Sequence, residues 1–410
     1  MRTVVFIGTN KSGSSREAIK AADKLGYFTV LFTDKEKQLE QRDEFPDVHQ
    51  MVFKSNLLDS ESILEEIDFL RLQGKDVKAC ISLIDPYVYY STMLSEQLGL
   101  AHLSSKALYK MEDKIRFREE LQNHPATPYF LIFNHQESIK LWSKKYAAHL
   151  PLIVKSPVSN GSKDVLLVES IGQLKKALGY LKKKYPEHPI LVEEYLLGEQ
   201  FLAEVFVYKG KISIIGTMNQ EITKQDRFIV TGYSLPAEFE GDDYQSFHDT
   251  IVSIIQELGL ENGTCHLEIR KTSLGWKLIE INPRMSGGAM NSIIRESTGI
   301  NLAKETVRLF LGEEPDLIRK INKAVYAHFI TVSSKGKLIK VTGKNRAKAY
   351  DGVKEVYIKP RKGTLLVPAK SMGNRYAYVL ASADYPEEAR NIARTAASEI
   401  QFHLESLSLA

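Results

Sequence analysis

The chain has 410 residues, 43% of them apolar and 26% charged, an ordinary globular composition with length enough for two or three domains that bury full cores. Its 55 basic and 51 acidic residues leave a dispersed net charge of only +4, so composition carries no signature of nucleic-acid binding. Cys80 and Cys265 sit in apolar strand-like runs without metal-ligand spacing, the opening run at residues 3–7 is too short for a signal-peptide core, and no run approaches the ~20 residues that span a bilayer, so a soluble, cytoplasmic chain in a reducing compartment is expected.

Residues 4–8 read as a buried strand. Residues 14–25 read as a helix, with Ala18, Ala21, Ala22 and Leu25 at helical spacing, and residues 28–33 as a second strand. This is a βαβ opening. Apolar runs at 50–53 and 79–84, with helices at 60–72 and 89–98, extend it into a parallel sheet, and a Rossmann-like domain over 1–105 is expected. Residues 106–121 read as one charged connecting helix before Pro125 and Pro128 break the chain. Strands are then expected at 129–133, 152–155, 165–168, 190–195, 201–208 and 211–218, with Lys209-Gly210 as a two-residue hairpin turn and helices at 247–258 and 301–311. Antiparallel strands after a parallel domain predict an α+β domain over 106–312. Strands at 324–332 and 353–358 and a long helix from Pro386 to about Leu407 make a smaller α+β domain over 313–410. The fold class is α/β (α+β), and neither an internal repeat nor a low-complexity segment is present.

Three segments carry chemistry. In Cys265-His-Leu-Glu-Ile-Arg and Leu278-Ile-Glu-Ile-Asn-Pro-Arg284, alternation puts Glu268, Glu280, Asn282 and Arg284 on one face and Leu267, Ile269, Ile279 and Ile281 on the other. With Ser273-Leu274-Gly275 as the loop, Glu268 stands opposite Glu280. Opposed Cβ atoms lie about 5 Å apart, so two carboxylates there repel unless a cation separates them. Two carboxylates and an amide carbonyl suit a hard ion such as Mg²⁺, with Mn²⁺ as the alternative, and Mg²⁺ usually shares itself with nucleotide phosphates. The bland reading is a solvated face whose acids pair with Arg270 and Arg284. Second, residues 151–165 deliver Lys155 at the end of an apolar strand and follow it with the small polar stretch Ser159-Asn-Gly-Ser162, a loop able to close over phosphates. Third, Glu193-Glu194-Tyr195-Leu196 ends a strand with acids and exposed backbone, groups that can meet an adenine amino group or ribose hydroxyls. The Gly8-to-Ser15 loop could hold an anion but fits neither the P-loop nor the dinucleotide fingerprint, and Asp34 could meet a ribose.

In this order the segments resemble the ATP-grasp superfamily over nearly the whole chain. The resemblance implies an ATP-grasp fold preceded by the Rossmann-like domain, with ATP and Mg²⁺ as cofactors. It places Lys114, Lys155 and Ser162 of the flexible loop on ATP, Glu193, Glu194 and Leu196 on adenine, Gln200 on the ribose, and Glu268, Glu280 and Asn282 on the metal. Arg284 would stabilise the phosphorylated intermediate. Asn282-Pro-Arg-Met-Ser-Gly-Gly288 and Ile294-Arg-Glu-Ser-Thr-Gly look like the bacterial L-amino-acid ligases, which make dipeptides from free amino acids, and Ser12-Gly-Ser-Ser-Arg-Glu is similar to an arginine-preferring branch of them. Arg284, Gly288 and His266 would then meet the substrates. Gly288 would leave room for a long first side chain, unless it only supplies a turn. His266 shares the face of Glu268 and could act as a base. An arginine substrate needs an acid, for which Glu238 and Asp351 are candidates. The partners implied are small-molecule amino acids, with no nucleic acid and no membrane, and a homodimer is compatible. Other ATP-grasp ligases acting on a different carboxylate, a nicotinamide-dependent oxidoreductase and a non-catalytic ATP-binding protein are the rival readings.

Overall fold

The computed structural model describes residues 1–156, 158, 161, 163–224 and 228–406, and these form four sheets. Strands β1 (Arg2–Ile7), β2 (Phe28–Thr33), β3 (Gln50–Phe53) and β4 (Asp76–Ile81) make a parallel sheet in the order β3-β2-β1-β4. Val5, Ile7, Val30 and Cys80 pack on one face and Val4, Phe6, Leu31 and Ala79 on the other. A parallel sheet buried on both faces needs such continuous apolar runs.

β5 (Phe130–Phe133), β6 (Leu152–Lys155), β7 (Val165–Val168) and β8 (Ile190–Glu194) form an antiparallel sheet ordered β5-β8-β6-β7, covered by Leu174, Leu178 and Leu181 of the helix Ile171–Lys184. The remaining strands are β9 (Gln200–Tyr208), β10 (Lys211–Lys224), β11 (Phe228–Leu235), β12 (Gly263–Thr272), β13 (Gly275–Asn282), β14 (Ala324–Ile330), β15 (Gly336–Thr342), β16 (Val353–Ile358), β17 (Leu365–Leu366), β18 (Ala377–Ala383) and β19 (Gln401–Ser406). Eight of them make one antiparallel sheet, β13-β12-β9-β10-β11-β14-β18-β16, so strands from beyond residue 313 extend the sheet that carries the carboxylate hairpin. β17-β15-β19 is a separate small sheet. The Tyr208–Lys211 turn forms with Lys209 and Gly210 both at positive φ (50° and 75°), the geometry that suits tight hairpins.

Three expectations are corrected. The connecting helix is two helices, Ser105–Glu112 and Lys114–Glu120, because the Asp113 carboxylate accepts from the backbone N–H of Ile115 and Arg116 at 2.9 Å and starts a new helix. The last helix ends at Ser398; Phe402 and Leu404 alternate with polar residues, and the segment pairs with β15 as β19. The strand expected at 211–218 runs to Lys224. Among the described residues no helix is long and apolar enough to cross a membrane.

Candidate active site

The β12–β13 hairpin brings Glu268 directly opposite Glu280 and His266 opposite Asn282. Its turn is tighter than expected: Thr272 pairs with Gly275, and the register shifts beyond Glu268 so that Ile269 faces Leu278. Ile279 is therefore the extra residue of a β-bulge, and this corrects its place. Leu278 fills the core beside Leu267, Ile269 and Ile281, while Ile279 lines the cleft next to Glu280. The bulge also aims the Ile279 carbonyl at two cations, Lys155 Nζ at 3.3 Å and Arg118 Nη2 at 2.9 Å.

That cleft, about 910 Å³, lies between the two antiparallel sheets. Lys155, from the end of β6, and Arg118, from the helix Lys114–Glu120, both pair with Glu193 of β8, each at 2.5 Å. All three side chains are buried. Burial works against the Glu193 charge, yet the two cations hold its carboxyl below the usual range, while burial pulls the Lys155 ammonium down. Lys114 pairs with Glu280 at 3.1 Å, and with Lys155 it keeps Glu280 ionised, down to about 2, against the penalty of burial. Glu268 fares differently. Among the described residues its oxygens receive only amide donors, Gln200 Nε2 at 3.1 Å and Gln220 Nε2 at 3.4 Å, and burial plus the charge of Glu280 push it up to about 7. Neither arginine of the bland reading neutralises it: Arg284 pairs with Asp85, and Arg270 donates to the Leu196 carbonyl and Gln200 Oε1.

One carboxylate without a counter-cation, beside an ionised one and an amide, is a donor set that fits a hard divalent ion. Asn282 donates its amide nitrogen towards His266 Nε2 at 3.2 Å, which turns its carbonyl oxygen the other way. His266 Nδ1 donates to the Arg284 carbonyl at 2.9 Å. Both ring nitrogens are thus engaged, and burial together with Arg284 lowers the imidazole to about 4. His266 orients Asn282 and has no lone pair to spare for a proton at neutral pH.

The rest of the cleft wall is a strip of Glu194, Tyr195 and Leu196 facing apolar Ile153, Val165, Ile222, Phe228, Ile279 and Met372. Such a wall suits a planar aromatic ring. Glu194 is held by the backbone N–H of Tyr129 at 2.8 Å, and the Leu196 carbonyl by Arg270. Gln200 bridges Arg270 to Glu268, and Glu199 stays exposed on an outer cavity shared with Glu238. Ser162 lies outside the described residues.

Arg284 reaches into the first domain. Its Nε and Nη2 donate to Asp85 at 3.1 and 2.5 Å, just past β4. Burial opposes the guanidinium charge, but Asp85 raises its pKa above the ordinary value. The loop after Arg284 is packed from the same side: Ser14 Oγ donates to the Ser286 carbonyl, and a Cβ on Gly13 (φ +85°) would stand 3.0 Å from Gly288 N. The glycine loop therefore serves close approach of two backbones. Gly288 itself has φ +69° and borders a second cavity of about 1950 Å³. Its backbone makes a left-handed turn, and a Cβ built there would meet Arg375 Nη2 at 4.0 Å. Of the candidate acids, Asp351 sits in an exposed turn on the Gly352 N–H, and neither it nor Glu238 borders this cavity.

Beneath the loop, Glu204 is fully buried and accepts from the Ser286 N–H at 3.0 and 3.3 Å, and burial, outweighing Ser286 and the charge of Arg284, pushes it up to about 8. A carboxyl whose folded pKa exceeds its unfolded value of about 4.3 stabilises the fold fully below that value and loses this contribution as pH rises to about 8. Denaturant midpoints of Glu204→Gln, compared with the unsubstituted chain between pH 5 and 8, are expected to show the fall of a few kcal/mol only in the latter. Parallel curves would mean that Glu204 is ionised throughout.

Sequence reasoning passed over Arg118, Gln220 and Met372, and it named Arg270 only as a counter-ion for the strand-face acids. Asp85-Pro86 was legible only as a strand end, and Arg118 only as one more charge on a charged helix.

With this geometry the family comparisons agree. Residues 148–293 match the ATP-grasp domain family, so the chain carries an ATP-grasp domain. Residues 328–405 match the L-amino acid ligase C-terminal domain 2, so the chain carries this domain as well. It is 25% identical to dapdiamide A synthase of Enterobacter agglomerans over 264 residues, 59% of this chain and 62% of that one, so the match stops short of that relative's full length. The fold is shared with an L-amino acid ligase from Bacillus licheniformis (TM-score 0.82, 19% identity, 99% of both chains). It is shared also with the biotin carboxylase domain of a 2-oxoglutarate carboxylase from Hydrogenobacter thermophilus, solved with MgADP (TM-score 0.73, 17% identity, 98% and 91%).

Proposed function

We propose that this protein is an ATP-dependent ligase that joins two free L-amino acids into a dipeptide, releasing ADP and phosphate, in the cytoplasm. The observation that carries the reading is Glu268, with no cation partner among the described residues, facing Glu280 beside the Lys114–Lys155 cleft. Glu268, Glu280 and Asn282 would hold Mg²⁺, which when bound neutralises phosphate charge. Lys114 and Lys155 lie where ATP phosphates would enter, and the Glu194–Leu196 strip would take the adenine.

In the first step a carboxylate oxygen of one amino acid bonds to the γ-phosphorus as the bond to ADP breaks, giving an acyl phosphate. In the second the deprotonated amine of the other amino acid bonds to the acyl carbon, and phosphate leaves. Each step builds negative charge near Arg284, whose guanidinium is fixed by Asp85 and kept charged. His266 contributes by aiming Asn282, not by taking the amine's proton. Arginine as the first amino acid, implied by the resemblance, gains no support from the cavity beside Gly288, which already presents a guanidinium of its own.

The test is phosphate release from ATP and Mg²⁺ with amino acids singly and in pairs, with the product identified by mass. A pair giving phosphate and a dipeptide mass is expected, and in Glu268→Gln half-maximal release should need at least about tenfold more Mg²⁺. Phosphate release with no pair of amino acids would end this reading.

A further inference from the structure

The cavity beyond Gly288 lies between the first domain, the Gly288 turn with the start of the helix Met290–Thr298, and strands β14, β16 and β18. Most cations on its wall have acids of their own. Arg16 pairs with Asp47, Lys20 with Glu17, and Lys11 and Arg361 share Glu44. Two do not. Among the described residues no carboxylate lies within 4.0 Å of either Arg375 or Lys359.

Both are held in place by neutral groups. The Arg375 guanidinium lies 4.0 Å over the Phe329 ring, and its Nη1 donates to the Val230 carbonyl at 3.2 Å. Stacking on an aromatic face fixes a guanidinium without consuming its donors. Its Nη2 faces Gly288. Lys359, at the exposed mouth, donates to the Gly373 carbonyl at 2.8 Å, and partial desolvation followed by the nearby charge of Arg375 lowers its pKa. Glu355 borders the same cavity, but its carboxylate is taken by the Tyr378 hydroxyl at 2.5 Å. Two cations on one cavity wall, neither with a carboxylate within 4.0 Å among the described residues, invert the arrangement of the Glu268–Glu280 pair.

We infer that Arg375, backed by Lys359, binds a substrate carboxylate other than the one that reacts. A planar guanidinium with a free edge matches a carboxylate in two parallel hydrogen bonds. The binding claim stands on the cavity alone; what the carboxylate belongs to rests on the ligase reading. Two sources share the chemistry, an acidic side chain on the first amino acid and the α-carboxylate of the second, which survives in a dipeptide. A guanidinium substrate is disfavoured here, because it would meet a guanidinium.

The test is calorimetric titration of the full chain, with MgADP present, by L-aspartate and L-glutamate against L-asparagine and L-glutamine, and by L-alanine against L-alaninamide. The acid of one set is expected to bind at least about tenfold tighter than its amide, and Arg375→Leu to erase that difference. Arg375→Lys, which keeps the charge and loses the fork, should retain part of it, and a thermal melt of each variant confirms folding. Discrimination in the first set assigns the acidic side chain; discrimination in the second assigns the α-carboxylate. Equal affinity for acid and amide in both sets, or discrimination unchanged in folded Arg375→Leu, overturns the inference. Failure of the ligase reading appears elsewhere, as absent amino-acid-stimulated phosphate release, and leaves this binding measurement intact.

Discussion

Arg284→Met is expected to abolish turnover while leaving nucleotide binding largely intact. The guanidinium takes no part in the Lys114–Glu280 or Lys155–Glu193 pairs, and it is anchored from outside the cleft by Asp85. Its charge therefore remains available where negative charge develops, and it is missed in the transition state more than in the bound ground state. Loss of one such preorganised donor costs on the order of 3 to 4 kcal/mol, a fall of about 10² to 10³ in kcat. Asp85→Asn should fall in the same direction by less, since the arginine stays but is less firmly held. Single-turnover phosphate release together with a nucleotide titration checks both. A variant lacking Arg284 that turns over at the original rate would remove this residue from the chemistry.

Glu193→Gln is expected to lower stability by about 3 to 5 kcal/mol, the usual cost of breaking a buried pair from one side. Glu193 is the single carboxylate paired with both Arg118 and Lys155, and Arg118 has no exposed surface at all. The amide keeps the shape and removes the charge, so two buried cations lose their partner. An anionic ligand that reaches Lys155 should return part of the loss. Urea midpoints with and without MgADP are the measurement: a large drop, smaller with nucleotide, is expected. An unchanged midpoint would show that the cations are neutralised by other groups.

The difference between these residues and those found from sequence is instructive. Alternation over residues 265–284 places Glu268 and Glu280 face to face because strand periodicity and a short loop are local properties, and the hairpin keeps that register despite a tighter turn. The bulge that makes up the difference left no mark in the composition. It nevertheless moves Ile279 from core to cleft and presents its carbonyl to Lys155 and Arg118. The long helix expected at the end of the chain fails for a related reason: alternation over six residues is weak beside a strong helical run, and pairing with β15 decided it. Glu193 was legible as a strand-end acid facing a nucleotide, whereas its ion pairs tie together residues far apart in the chain.

Residue order alone was enough for the parallel opening sheet, the carboxylate hairpin and the likeness to ATP-grasp ligases, since each rests on short-range pattern or on the succession of motifs. Tertiary structure decided the charge state of the site. Asp85 meets Arg284 across 199 residues, Glu268 has no cation partner among the described residues while Glu280 has Lys114, and Arg375 faces Gly288 from a strand-rich segment that joins the same large sheet. Pairing among buried charges depends on distances that sequence spacing does not contain, and burial then multiplies the consequence of every pair made or missed.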